Sequence, residues 1–301
     1  MSSHTPLPLS PDDLPLSRIV AGAWRMAEWN YGVQERLRWI GQCLELDITS
    51  FDHADIYGDY TVEALFGEAL ALRPALREGM QLVSKCGIKL VSGQRPAHRG
   101  KSYDTSRAHV VASVDASLRA LRTDRLDLLL IHRPDALMDA DALAQTFAAL
   151  RAAGKVLHFG VSNHAPSQLA LLQARLPLAA HQIEFSPLQL APLFDGTLDQ
   201  CQALGLRPMA WSPLGGGRLF TGQDAQALRV RVELERLAME YGASVATMAY
   251  AWILRHPAAP VPITGSRRVQ GLQEAVAALD IALPAEHWYA VWQASQGHEV
   301  P

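Results

Sequence analysis

The sequence predicts an α/β fold closed into a (β/α)8 TIM barrel, and three observations carry the prediction: short apolar runs alternate with longer amphipathic stretches, the runs number eight, and no dinucleotide-type glycine fingerprint follows the first of them. The runs are RIVAG (18–22), ITSFD (48–52), QLVSK (81–85), LDLLLIH (126–132), HFGVSN (158–163), AAHQIEF (179–185), RPMAWS (207–212) and APVPITG (259–265). Their spacing suits a closed barrel or a long doubly wound sheet, and eight units favour closure. A doubly wound dinucleotide fold would place GxGxxG directly after its first strand, and AGAWRMAEW (21–29) lacks it. The glycine triplet Gly215, Gly216, Gly217 follows the seventh run instead, where barrels frequently build a phosphate site.

The helices follow from periodicity. Residues 34–46, 61–72, 107–121 and 139–152 each carry apolar residues three and four apart, the pattern of a helix with one buried face. Thr105 stands just before the third as a candidate cap, and Pro166 opens the helix after the fifth run, where its missing N–H is harmless. Thr61 with Ala64 makes a poor capping box, because alanine cannot return a bond to the cap. Residues 284–294 predict an extra C-terminal helix, and no linker, repeat or low-complexity stretch divides the chain, so residues 1–301 read as a single domain.

Composition narrows the function. With 49% hydrophobic and 19% charged residues the chain is an ordinary globular sequence, and a net charge of −3 leaves no surplus cation for nucleic acid or anionic lipid. The first twenty residues hold four prolines and no apolar core, unlike a signal peptide, and no run reaches the ~18 apolar residues that span a bilayer, so a cytoplasmic protein with no membrane partner is expected. Cys43, Cys86 and Cys201 are widely separated and read as reduced packing residues; no group shows metal-ligand spacing. A monomer acting on a small molecule is favoured.

Barrel sites gather at the C-terminal ends of strands. Asp52, Tyr57 in DHADIYG, Lys85 in LVSK and His132 in LLLIH stand at or just beyond such ends. A tyrosine of ordinary pKa near ~10 is a weak acid at neutral pH, and bringing it ~3 units closer takes about 4 kcal/mol of preferential phenolate stabilisation. A neighbouring Lys85 ammonium is suited to supply it, Asp52 would keep that lysine charged, and His132 would hydrogen-bond a substrate oxygen beside Tyr57. Singly, Asp52 and Lys85 read equally as a structural ion pair, His132 as a core histidine and Tyr57 as a rim aromatic. Together they read as a proton donor aimed at a carbonyl.

The stretches FDHADIYG (51–58), LVSKCG (82–87), LDLLLIHRPD (126–135), GKVLHFGVSNH (154–164), AWSPLGGGR (210–218) and VPITGSRR (261–268) resemble, in order, the motifs of the aldo-keto reductase family over nearly the whole chain. HRPDALMDAD and WSPLGGGRLF are most similar to a bacterial branch of oxidoreductases within it. The resemblance implies NAD(P)H-dependent reduction of an aldehyde or ketone to the alcohol, with NADPH expected and NADH the alternative. It implies Tyr57 as general acid, Lys85 and Asp52 as its tuning pair, and His132 as the orienting residue.

For the cofactor, the resemblance implies that Ser162, Asn163 and Gln182 bond the nicotinamide carboxamide and that Trp211 stacks on the ring, packing in the barrel core being the plain alternative for Trp211. Ser212, Pro213, Leu214, Gly215, Gly216 and Arg218 match a pyrophosphate loop of backbone donors and one cation. Gly265, Ser266, Arg267 and Arg268 resemble the clamp for the adenosine 2′-phosphate, but the arginine expected five residues after the serine is Gly271 here. Arg267 or Arg268 would compensate, since a guanidinium grips phosphate with two hydrogen bonds. Gln270 and Glu274 fall at the adenine contacts. Trp24, grouped with the cofactor contacts, joins His53 and Tyr103 as candidates for lining the pocket, and the polar loop 91–106 matches no family motif. Two other functions stay open: a nucleotide-binding sensor with little turnover, and a Schiff-base lyase needing a neutral Lys85, against which Asp52 argues.

Overall fold

Eight parallel strands close on themselves in a computed structural model that describes residues 7–8 and 14–300. They are β1 (Val20–Gly22), β2 (Ser50–Asp52), β3 (Gln81–Cys86), β4 (Leu126–Ile131), β5 (Val156–Ser162), β6 (Ala180–Glu184), β7 (Met209–Trp211) and β8 (Val261–Thr264). Each pairs with its sequence neighbours, and Ile263 opposite Val20 completes the ring between β8 and β1. The strands are one to three residues shorter than the apolar runs at one or both ends, except β3 and β5, because ladder bonding stops before apolar burial does. The reading of the first twenty residues lies partly outside the described residues.

The near-continuous apolar wording of the strands follows from burial on both faces, shown by β4, where all six positions are buried. Val20, Val83, Leu128, Leu130, Met209, Val261 and Ile263 fill one cluster with Leu14 and Leu16 of the N-terminal segment. The alternate residues Phe51, Leu82, Leu129 and Ile131 pack outward under the helices.

Those helices are α1 (Val33–Glu45), α2 (Val62–Leu70), α3 (Arg107–Leu121), α4 (Ala140–Ala152), α5 (Pro166–Gln173), α6 (Thr197–Ala203), α7 (Ala225–Tyr241), α8 (Val245–Leu254), α9 (Val269–Ala277) and α10 (Ala285–Gln296). Pro166 opens α5 as expected, and α10 is the extra C-terminal helix. It is locked on by Trp252 of α8 and Trp288, whose rings stack at 5.0 Å while each indole N–H donates to the other's backbone carbonyl, at 2.9 and 3.0 Å.

One local expectation needs correcting. The cap of α3 is Ser106, whose hydroxyl accepts from the His109 amide; Thr105 is buried and donates its hydroxyl to Asp135 at 2.9 Å, which fixes the loop after β4. The loop 91–106 is tied by a short antiparallel pairing of Ile88–Lys89 with Ser102–Tyr103, too brief for alternation to reveal.

Packing of α2 on α3 depends on one missing side chain. A Cβ at Gly67 would lie 2.0 Å from the backbone oxygen of Ala120, so the helices approach as closely as they do only because position 67 is glycine. Gly67→Ala should lower stability by about 1–3 kcal/mol through overpacking. Calorimetry checks this, and an unchanged melting temperature would contradict the close approach.

Candidate active site

Lys85 is the centre of the cluster at the barrel mouth. Its ammonium, 1% exposed near the end of β3, donates to Asp52 Oδ2 at 2.7 Å, to the His53 carbonyl at 2.7 Å and to the Tyr57 hydroxyl at 2.9 Å. All three of its protons are used. Asp52 ends β2, and its second oxygen accepts from Gln182 Nε2 of β6 at 2.8 Å, so a bond across the barrel fixes the carboxylate. Tyr57 enters from the loop after β2, where Gly58 and Asp59 both adopt φ of 55°. The turn that places Tyr57 over Lys85 is closed by its own amide donating to the Ala54 carbonyl at 3.2 Å, and the left-handed pair redirects the chain just after it.

His132 follows β4 directly, its amide donating to the Cys86 carbonyl at 2.9 Å and its ring meeting the Tyr57 ring nearly edge-on at 5.8 Å. Burial and the neighbouring Lys85 and Arg133 charges hold His132 well below its ordinary pKa, so the imidazole is neutral. Its Nδ1 has no partner among the described residues.

Lys85 is held above its ordinary pKa: burial opposes the charge, but Asp52 and Tyr57 outweigh it. A charged amine is no nucleophile, which argues against the Schiff-base chemistry. The expectation of an acidified phenol is corrected. Burial pushes Tyr57 above 10, and the pull of Lys85 is partly cancelled by the Asp52 charge beside it. Tyr57 therefore rests as a neutral phenol.

Asp52, Tyr57 and His132 open onto a cavity of about 820 Å³ that runs over the barrel mouth to the start of α9. Trp24, Gln182, Trp211, Ser212, Pro213, Leu214, Gly216, Gly265, Ser266, Arg268, Gln270 and Glu274 all line it, as does Tyr103. A Cβ at Gly265 would meet no atom within 4 Å, so packing does not demand glycine there and its open space faces the cavity, whereas Gly217, equally open, is glycine because its φ is 100°. This elongated trough, apolar at Trp211 and rich in backbone amides at the β7 loop, fits a nicotinamide dinucleotide.

Other expected residues lie elsewhere. His53 is fully buried, its ring edge-on to Phe66 at 4.6 Å, and does not line this cavity. Arg218 is outside the cavity wall, its guanidinium taken by both oxygens of Asp224, so it is not a free cation for pyrophosphate. Gly215 tucks against Leu188. Of the two arginines offered for the clamp, Arg267 bonds the Trp29 carbonyl, leaving Arg268 on the wall. Gly271 also has a packing reason, since a Cβ there would lie 2.3 Å from Ser266 Oγ. Ser162 and Asn163 sit behind Trp211: Asn163 Oδ1 accepts from the Trp211 indole at 3.2 Å, and Asn163 Nδ2 donates to Ser162 Oγ at 3.0 Å. The sequence reading missed Arg25, which reaches the Gly216 carbonyl at 3.3 Å, and also Lys101 and Arg133 on the wall. Arg133 was findable, being the next residue after His132.

Barrel, strand-end cluster and trough together define an oxidoreductase of the aldo/keto reductase family, and the chain belongs to it: the family model matches residues 18–295. The oxidoreductase YcsN of Bacillus subtilis (strain 168) is 49% identical over 96% of this chain and 98% of its own length. A protein named 6-dehydroglucose reductase from Agrobacterium fabrum (strain C58 / ATCC 33970) is 41% identical over 96% and 97%. Among solved structures, the glycerol dehydrogenase AKR11B4 from Gluconobacter oxydans superposes with a TM-score of 0.85 at 25% identity, covering 99% of this chain and 97% of that one. Carbonyl chemistry with a nicotinamide cofactor is the general activity of the family.

Burial also sets the acid response. His53 and His181 are pushed down to about 3, His164 to about 4, and His132 well below 6.5, all chiefly by burial. An unfolded chain takes up these protons as pH drops through 6.5 while the folded chain refuses them, so stability falls with acidification. Asp55 and Glu63, both raised by burial, act in the opposite sense, but His109 and His256 are also lowered by burial, making six groups against two. Urea unfolding at about pH 5 should give a stability lower than at about pH 7 by roughly 2 kcal/mol or more, what one such histidine contributes over about 1.5 pH units. Equal midpoints would contradict the neutral histidines.

Proposed function

We propose that this protein is an NADPH-dependent reductase of small aldehydes and ketones in which Tyr57 donates the proton. The observation that carries the reading is the 2.9 Å contact between the Tyr57 hydroxyl and a Lys85 ammonium held charged by Asp52. A bound nicotinamide cofactor would supply the hydride.

The chain's own residues do the rest. Tyr57, neutral at rest, carries the proton that the developing alkoxide needs. As that proton leaves, the phenolate forms 2.9 Å from the ammonium, which stabilises charge only where it appears in the transition state. His132, uncharged, donates a hydrogen bond to the same carbonyl oxygen and sets its approach without competing as an acid. Gln182 fixes Asp52, and Asp52 fixes Lys85. Trp211 offers a flat apolar face for the nicotinamide, held at its indole N–H by Asn163. In the 212–217 loop Pro213 has no N–H and the Gly215 and Gly217 amides close the loop's own turns, so the Leu214 and Gly216 amides are the ones that suit the pyrophosphate; Ser266 with Arg268 suits the adenosine 2′-phosphate, which is the ground for NADPH over NADH.

Small hydroxylated aldehydes belong among the compounds to test, given the name of the Agrobacterium relative. Tyr57→Phe should lower kcat for carbonyl reduction by at least ~10³, since the phenol acts only on the developing alkoxide. Its Kd for NADPH, read by quenching of tryptophan fluorescence, should change less than threefold. Aldehyde-dependent NADPH oxidation, with NADH run beside it, checks both, and activity retained within tenfold would overturn the assignment.

A further inference from the structure

We propose that Arg133 selects carbonyl substrates that carry an anionic oxygen group, a carboxylate or a phosphate, close to the reacting carbon. The proposal rests on the reductase reading of the same site and adds the substrate class. Arg133 is the residue after His132 and lines the cavity half-buried. Its Nη1 donates to the His132 carbonyl at 3.0 Å and to Ser162 Oγ at 3.4 Å, while the guanidinium carbon lies 5.7 Å from the centre of the Trp211 ring. These contacts hold one arm of the fork at the cavity floor. No hydrogen bond of Nη2 or Nε to another described residue accompanies them, so that edge is left for a ligand.

The charge of Arg133 is not met by any ion pair with a described residue. Among the described residues no carboxylate pairs with it, and the acids on the cavity wall are engaged elsewhere: Asp52 with Lys85 and Gln182, Glu274 with Gln270. A partly desolvated guanidinium is ordinarily paired, and its planar fork matches a carboxylate or phosphate with two parallel bonds. Lys101, just before the hairpin strand Ser102–Tyr103, lines the same cavity and likewise forms no ion pair among the described residues. Arg25, Lys101, Arg133 and Arg268 all line this cavity although the chain as a whole carries −3, an excess of cations over the two lining acids that would favour an anion there. Packing alone does not explain Arg133, because Asn163 already holds Trp211 in place and Ser162 accepts from Asn163 without it.

The test compares substrates matched in size. Steady-state kinetics with NADPH are measured for succinic semialdehyde against butanal, and for glyceraldehyde 3-phosphate against glyceraldehyde, in the full-length protein and in Arg133→Gln and Arg133→Lys. The wild type should favour the anionic member of at least one pair by tenfold or more in kcat/KM, and the pair that does so identifies carboxylate or phosphate. Arg133→Gln should lose at least tenfold more on that anionic substrate than on its neutral partner, mostly through KM, and Arg133→Lys should recover part of the difference. Equal kcat/KM within both pairs, or equal losses on charged and neutral members, overturns the role of Arg133 and leaves the reductase reading intact. No oxidation of NADPH with any of the four overturns both.

Discussion

A single buried ammonium organises this molecule. Lys85 has every proton spoken for, and its three acceptors all come from the one stretch that ends β2 and turns out of it: the Asp52 carboxylate, the His53 carbonyl and the Tyr57 phenol. Removing one partner of such a buried pair leaves an uncompensated charge, which costs about 3–5 kcal/mol. The geometry around Tyr57 is therefore held by the same interaction that would shape its chemistry. Asp52 in turn depends on Gln182 from the far side of the barrel, so closure of the eight strands is a condition for the site.

That dependence explains why the phenol need not be acidic at rest. Burial keeps Tyr57 protonated, and the Asp52 charge that secures Lys85 also works against the phenolate. A donor in reduction must hold its proton until the carbonyl oxygen takes on charge. Stabilisation matters after that moment, and the ammonium is already in place with nothing left to reorganise.

Much of this was legible in the residues. The eight apolar runs gave the strands because parallel strands are buried on both faces, and Asp52, Lys85 and His132 were readable because barrel chemistry sits at strand ends. Four things were not. The cap of α3 fell one residue later than Thr105, because Thr105 is bound to Asp135 across the fold. Arg218 resembles a phosphate ligand in sequence, but Asp224 six residues on captures it, a local pairing that no motif encodes. His53 lies inside a charged-looking stretch and still points into the apolar layer against Phe66, since its side chain faces opposite to Asp52 along the same extended chain. The net shift of Tyr57 also escaped, because it is a balance of burial against two opposed charges.

The central claim is that Lys85 is an ammonium throughout the working range of pH, and its own titration tests that most directly. In protein labelled with 15N at the lysine side chains, the Lys85 Nζ resonance, assigned with Lys85→Arg, is followed as pH is raised. The account predicts a midpoint above that of free lysine, about 10.4. A midpoint below that value, with a neutral amine present near neutral pH, would contradict it.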